Sequence, residues 1–457
     1  MVYRLKQLTL IFGDIIALFL GLYLAVAARY LSWPNPEGWL LWQMTGLFLV
    51  ALIILFITGL YDTSQTRNSR RFFQKIFIAA VIWVVVSTIF FYLRANDFGS
   101  PKTILALTAV FGFGLITLWR YLHNRYLSKE LWKQQVVFAG WTKETEELVR
   151  LILREPERGY AVSGIVLAAG ESLPAELSSL PTFKNFKEFT QTGRPVHLMV
   201  VAPELTNDQE LASSLYTALF NQLTVLNLEK LYEELMGRIP PFVFSETFFL
   251  KNLNEQQKKI YDRSKIIVDY LFAGCLALVF GLTFPFVALA IKLESSGPLF
   301  YIHERVGRGG KKFRMYKYRT MKALRADGSA EESGPQFAAV NDNRVTGVGK
   351  LLRRTRLDEL PQFINIFKNE MSLIGPRPER PEFVSQLTAA MPFYALRHLI
   401  KPGLTGWAQI HESYFGTLEE NLRKLEYDLY YIKNRGPLLD FAIILRTINI
   451  VLRMIGR

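Results

Sequence analysis

The sequence predicts a membrane protein, α plus α/β: a four-helix transmembrane bundle, a Rossmann-like cytosolic module and an α-rich domain with a re-entrant membrane helix. Three features carry that prediction. The chain opens with four apolar stretches of about 20 residues, the length a helix needs to cross a bilayer. Short apolar runs then alternate with helical patterns, the rhythm of a parallel α/β sheet. Last comes an uncharged run with basic clusters on both sides.

Composition narrows the class. Half of the 457 residues are hydrophobic, 21% are charged, and Lys plus Arg exceed Asp plus Glu by 54 to 40, a formal net charge of +14. Mean hydropathy is only +0.15. Those values exclude a disordered chain and a wholly embedded transporter, and indicate apolar segments joined to ordinary soluble domains. The single cysteine, Cys275, has no internal disulfide partner. Five histidines without an HExxH leave no zinc signature.

The stretches 8–28, 39–60, 72–93 and 103–122 make a bundle over residues 1–133. Arg4 and Lys6 ahead of the first, with Ala25-Val26-Ala27 inside it, raise the rival of a cleaved signal peptide. Its apolar part is too long for one, and three more spans follow. Arg67, Arg70, Arg71 and Lys75 lie between spans two and three, and Arg120, Arg125, Lys129 and Lys133 at or after the end of span four. The positive-inside bias therefore puts both ends of the bundle, and everything after it, in the cytoplasm.

Residues 134–250 carry the Rossmann-like module, with strands at 136–140, 162–167 and 197–202 and helices at 144–153 and 208–222. The first strand ends in Gly140-Trp141-Thr142-Lys143, not in GxGxxG. The close backbone approach that a dinucleotide pyrophosphate requires is missing. This degenerate nucleotide-binding turn favours a structural or regulatory module over an NAD site.

Residues 255–457 form the third domain. From Tyr270 to Ile291 there are 22 residues without a charge, enough to span. Yet Lys258, Lys259, Arg263 and Lys265 precede them, and nine Lys or Arg, including Arg305, Lys317 and Arg319, lie between Tyr301 and Arg325. A helix over 265–292 that bends at Pro285, dips into one leaflet and returns keeps both flanks inside. Its unbonded carbonyl at Gly281 needs a polar partner, for which Thr283 is close. Two strand-like runs, 299–306 and 313–320, are joined by Gly307-Arg308-Gly309-Gly310, a hairpin turn or a phosphate cradle. The flanking cations favour a site for anions, and 327–336 reads as a polar loop.

Five cations, Arg344, Lys350, Arg353, Arg354 and Arg356, run without an acid into Asp358 and Glu359. Cations within about 4–6 Å lower a carboxylate's pKa, so both acids are expected to be ionised and available. Adjacent helical residues point about 100° apart and share a proton poorly. One could attack a phosphorus while the other holds a divalent cation. Acids offsetting a helix macrodipole are the bland alternative. Downstream, Pro376, Pro378 and Pro381 stiffen the backbone around Arg377, whose guanidinium suits bidentate phosphate binding.

Several stretches in order now resemble one family: GPLFYIHERVGRGGKKFRMYKYRTM at 297–321, VTGVGKLLRRTRLDELPQ at 345–362, NEMSLIGPRP at 369–378, KPGLTGWAQI at 401–410 and LEYDLYYIKN at 425–434. Together they resemble the bacterial sugar transferases, monotopic phosphoglycosyl transferases of the long subgroup that initiates exopolysaccharide or O-antigen assembly. The resemblance implies transfer of a sugar-1-phosphate from a UDP-sugar to undecaprenyl phosphate, with release of UMP. It implies Asp358 as nucleophile, Glu359 as the carboxylate that helps bind Mg²⁺, and Arg377 at the phosphate. Lys317, Arg319, Arg354 and Arg305 are further candidates for anionic substrate, and Pro285 matches the membrane bend. The family often has Ser-Pro there, where this chain has Phe284-Pro285.

The basic excess suits two anionic substrates and a lipid surface. The expected place is the bacterial inner membrane, multi-pass, with the catalytic domain on the cytoplasmic face and a homodimer left open. Two rivals remain. A nucleotide-sugar oxidoreductase on the middle module lacks its Gly-rich turn and acidic ribose residue. A basic scaffold for lipid or nucleic acid does not account for the membrane anchor with the acidic pair, so no nucleic-acid partner is expected.

Overall fold

A computed structural model of the chain describes residues 2–32, 36–61, 68–94, 101–127, 133–168, 170–205, 216, 223–253, 258–324, 344–412 and 417–452. Of the expected elements, the polar loop at 327–336 and, apart from residue 216, the helix at 208–222 lie outside them. The chain divides into two compact units, Met1–Leu231 and Tyr232–Arg457.

In the first unit, α1 (Val2–Tyr30), α2 (Gly38–Ile57), α3 (Arg70–Leu93) and α4 (Lys102–Leu122) coincide with the four apolar stretches. They enclose a core that includes Leu18, Met44, Phe48, Trp83 and Ile116. Phe12, Leu49, Phe77, Ile89 and Val110 are exposed on the outside. Helices apolar on every side suit a lipid surround. Glycines let α1 and α4 meet closely: a Cβ on Gly21 would lie 2.5 Å from the Gly112 backbone. One charge pair interrupts the core. Arg120 donates through Nε and Nη2 to Asp14 at 3.1 and 2.6 Å, and through Nη1 to the Leu60 carbonyl at 2.6 Å. Tyr61 donates to the same carboxylate at 2.7 Å. Two charges in an apolar interior are tolerable only when paired and hydrogen-bonded in this way.

The same unit holds β1 (Gln134–Ala139), α5 (Lys143–Arg154), β2 (Tyr160–Val166), β3 (Thr182–Phe183), α6 (Phe186–Gln191), β4 (Leu198–Val201) and β5 (Thr224–Asn227). Every pairing is parallel, in the order β3-β2-β1-β4-β5. Buried on both faces, the last four residues of β1 and all of β4 are continuous apolar runs, as central parallel strands are. Gly140 takes φ +92°, and a Cβ there would meet Ala202 at 2.7 Å. At that turn the close approach is made by the protein's own chain.

The second unit begins earlier than the sequence places it. Residues 232–250, expected with the sheet, pack here instead: Ile239 and Phe249 share a core with Tyr394, Leu425, Leu429 and Ile432. Arg238 pairs with Glu426 at 2.8 Å. The helix also continues past Pro285. A single helix, α7 (Lys259–Glu294), runs through it for 36 residues, about 54 Å at 1.5 Å per residue. The Thr283 hydroxyl donates to the carbonyls of Val279 (2.8 Å) and Phe280 (3.3 Å), not to that of Gly281.

One stripe of α7, including Asp269, Ala273, Val287 and Ile291, is buried in the unit. The opposite stripe, Leu271, Leu278, Leu282, Phe286, Leu289 and Leu293, is exposed. Five helices in the described residues, α7 among them, are long and apolar enough to cross a membrane.

Candidate active site

The site grows from a hairpin and a tight turn. β6 (Phe300–Val306) and β7 (Lys312–Tyr318) pair antiparallel, with Tyr301 opposite Lys317, His303 opposite Met315 and Arg305 opposite Phe313. Gly309 and Gly310 take φ of +65° and +76°, and Gly307 donates to Lys311 at 2.8 Å. The Gly-rich stretch is thus a hairpin turn. Period-two alternation puts Tyr301, His303, Arg305 and Lys317 on one face of the ribbon.

Against it comes the acidic pair. Helix α8 (Gly347–Thr355) starts with Thr346 accepting from Gly349 and ends at Arg356 in the left-handed region, φ +60°. That reversal starts a 3-10 turn, Leu357–Gln362, on which Asp358 and Glu359 are both buried. Lys317 Nζ donates to Glu359 Oε1 at 2.7 Å. Arg377 Nη2 stands 3.6 Å from the same oxygen, and Arg356 Nη1 3.6 Å from Oε2. Asp358 Oδ1 is buried with no hydrogen-bond partner.

The two carboxylates are therefore unequal, which corrects the expectation that cations depress both. Burial pushes Asp358 upward, Lys317 opposes, and the neighbouring Glu359 charge adds to the rise. Burial acts on Glu359 too, but Lys317, Arg377 and Arg356 outweigh it and hold that carboxyl well below its usual range.

The other candidates divide. Arg377 and Lys317 do reach the pair. Arg305 lies on the same ribbon face, but its Nη1 donates to the Pro378 carbonyl at 3.1 Å and stands 3.5 Å from Glu379. Arg319 is turned elsewhere: buried, it donates through Nη2 to the Ser295 carbonyl at 2.7 Å and through Nη1 to that of Ser296. Arg354 is exposed on α8. The helical period carries Arg353 to the inside in its place, where Nε donates to Thr320 Oγ1 at 2.9 Å and its charge reaches Asp358. Arg353 and Arg356 were thus the informative members of the basic run. The left-handed cap that turns Arg356 inward has no clear sequence signal.

A brace fixes Arg377. Its carbonyl accepts from Arg397 Nη2 at 2.9 Å, and Arg397 pairs with Asp428 at 2.8 Å on α9 (Leu418–Asn434). Beside it Glu379 pairs with Lys424 and Arg305. Burial alone would push Glu379 up, yet Lys424 and Arg305 hold it at about 2 against 4.5 when free. The stability this confers is complete above the unfolded value and is lost as pH falls through the folded one. Glu379→Gln should cost about 3 kcal/mol at neutral pH and progressively less below pH ~4. Unfolding of both proteins at neutral and acid pH checks this; a gap independent of pH would contradict it.

Among the described residues no group of three or more His, Cys, Asp or Glu could hold a metal. Mg²⁺, however, keeps several waters and uses one or two carboxylates plus substrate phosphates. Glu359, kept ionised by its cations, supplies such a carboxylate, and Asp358 Oδ1 beside it is left unbonded.

Residues 260–454, which span every one of these groups, match the bacterial sugar transferase family. A protein of Caulobacter vibrioides named UDP-glucose:undecaprenyl-phosphate glucose-1-phosphate transferase is 38% identical over 191 residues, 41% of this chain and 69% of the relative. The chain belongs to the bacterial sugar transferase family. Two further members extend the comparison. An Aeromonas hydrophila UDP-N-acetylgalactosamine-undecaprenyl-phosphate N-acetylgalactosaminephosphotransferase is 39% identical over 51% of this chain and 53% of its own length. An Escherichia coli K12 protein named as the Caulobacter one is 28% identical over 96% of this chain and 93% of the relative. Residues 56–202 match a CoA-binding domain family.

Proposed function

We propose that this family member transfers a sugar-1-phosphate from a UDP-sugar to undecaprenyl phosphate, releasing UMP and initiating exopolysaccharide or O-antigen assembly. One observation carries the mechanism: a buried carboxylate oxygen with no partner, Asp358 Oδ1, beside a carboxylate gripped by three cations. The Asp358 carboxylate attacks the β-phosphorus, the bond to the bridging oxygen breaks, and UMP leaves with that electron pair. An oxygen of undecaprenyl phosphate then attacks the same phosphorus, and the aspartate carboxylate is released. Lys317, Arg356 and Arg377 neutralise charge around the transferred group, which is most of what phosphoryl transfer needs. Bound Mg²⁺, held by Glu359 with the substrate phosphates, would supply further charge neutralisation.

The test is UMP release from a panel of UDP-hexoses. Without acceptor, about one UMP per enzyme should appear as a burst, with turnover only when undecaprenyl phosphate is added. UMP release that needs the acceptor from the outset would exclude the covalent step.

The same reading sets the topology: four crossings over residues 1–133, and α7 entering and leaving by the cytoplasmic face of the inner membrane. Support comes from two points along α7, Asp269 and the C-terminal Glu294. Asp269 accepts from Leu373 N at 2.9 Å and Ser372 Oγ at 3.0 Å, while Glu294 accepts from Gly347 N and Val348 N at 2.6 and 2.9 Å. Ties to one compact unit at Asp269 and at Glu294, with Ala273, Val287 and Ile291 buried between them, favour entry and exit by one face. With Cys275 replaced, cysteines introduced near Asn35 and Asn68 should label from opposite sides, and a reporter after Arg457 should be cytoplasmic. An external reporter would overturn the scheme.

A further inference from the structure

His303 is a buried group that the proposed reaction leaves unused. Both ring nitrogens are shut from water, and neither has a hydrogen-bond partner. A buried polar atom left unpaired is costly, so two on one ring call for a ligand. Register locates them. His303 faces Met315 across the hairpin, which makes Lys317 its diagonal neighbour, about 7–8 Å away in a sheet. Lys317 is the cation bonded to Glu359. Tyr301 stacks on the imidazole with centroids 4.5 Å apart, and Arg380 fixes that tyrosine by donating to its hydroxyl at 2.6 Å.

The electrostatics say what kind of ligand fits. Burial, followed by Arg305, Lys317, Arg380 and Arg377, holds the imidazole neutral. A neutral ring offers one N–H donor and one lone pair. Amid four cations, the acceptor best matched to that N–H is an anionic oxygen, brought in from outside the chain.

We propose that His303 is a donor-substrate contact whose ring N–H bonds an oxygen of the nucleotide-sugar diphosphate next to Lys317. The inference rests on the reaction proposed above. No proton transfer is asked of the ring, since neither UMP nor the lipid phosphate needs one. Its part is to bind and orient the diphosphate.

Two variants test it. His303→Phe keeps a ring against Tyr301 and removes both nitrogens, so the KM for the UDP-sugar should rise about tenfold or more, with kcat changed less. His303→Gln returns an amide donor and should recover most of that loss. UDP added to protein carrying ¹⁵N-histidine should move the His303 ring signals, which a purely structural ring or one satisfied by buried water would not show. An unchanged KM in His303→Phe, or ring signals unmoved at saturating UDP, would overturn the inference. Failure of the reaction itself looks different: the wild type would release no UMP from any UDP-sugar, whatever His303 does.

Discussion

Asp358→Asn is expected to abolish the covalent sugar-phosphate adduct and lower kcat/KM by about 10⁴ or more, the usual result of removing a nucleophile. The amide matches the carboxylate in shape but carries no negative charge and is a far weaker nucleophile. Stability should not suffer. Burial already disfavours the Asp358 charge, and its Oδ1 has no hydrogen bond to lose. The thermal midpoint should therefore hold or rise, a stability–activity trade at a functional group. Labelled UDP-sugar followed by denaturing separation reads the adduct, and a melt reads the fold. Near-native turnover would exclude Asp358 as nucleophile. Glu359→Gln should behave differently, mainly weakening the use of Mg²⁺ and the hold on Lys317.

The second large effect is expected at Lys317. Its ammonium bonds Glu359 at 2.7 Å, and it is the leading cation acting on both carboxylates. Lys317→Met fills the space and leaves two adjacent buried acids short of a counter-charge. Breaking a buried pair in this way costs about 3–5 kcal/mol, and losing one stabilising charge at a phosphoryl centre costs about 10²–10³ in rate. Lys317→Arg should recover stability better than activity, because a planar fork does not reproduce a point charge at the same oxygen. Denaturant unfolding and UMP release measure the two effects separately. Wild-type rates in Lys317→Met would mean that the phosphate binds away from β7.

The apolar helices, the parallel sheet, the hairpin and the acidic pair are legible in the sequence, because each is written in local period, turn residues or uninterrupted charge. Length and hydropathy specify α1 to α4, and alternation with the Gly309-Gly310 turn specifies β6 and β7. The assignment of Asp358, Glu359 and Arg377 came from motif resemblance, not from any period. Tertiary structure alone decided the rest. It drew residues 232–250 into the second unit, because their apolar side chains found a core beside α9. It separated Arg353 and Arg356 from Arg354, since only a folded α8 with its left-handed cap defines an inner face. It also set Asp358 apart from Glu359. Two adjacent acids are alike in a sequence, but desolvation and counter-charge depend on what packs around them, and Lys317 reaches one carboxylate from a strand 42 residues away.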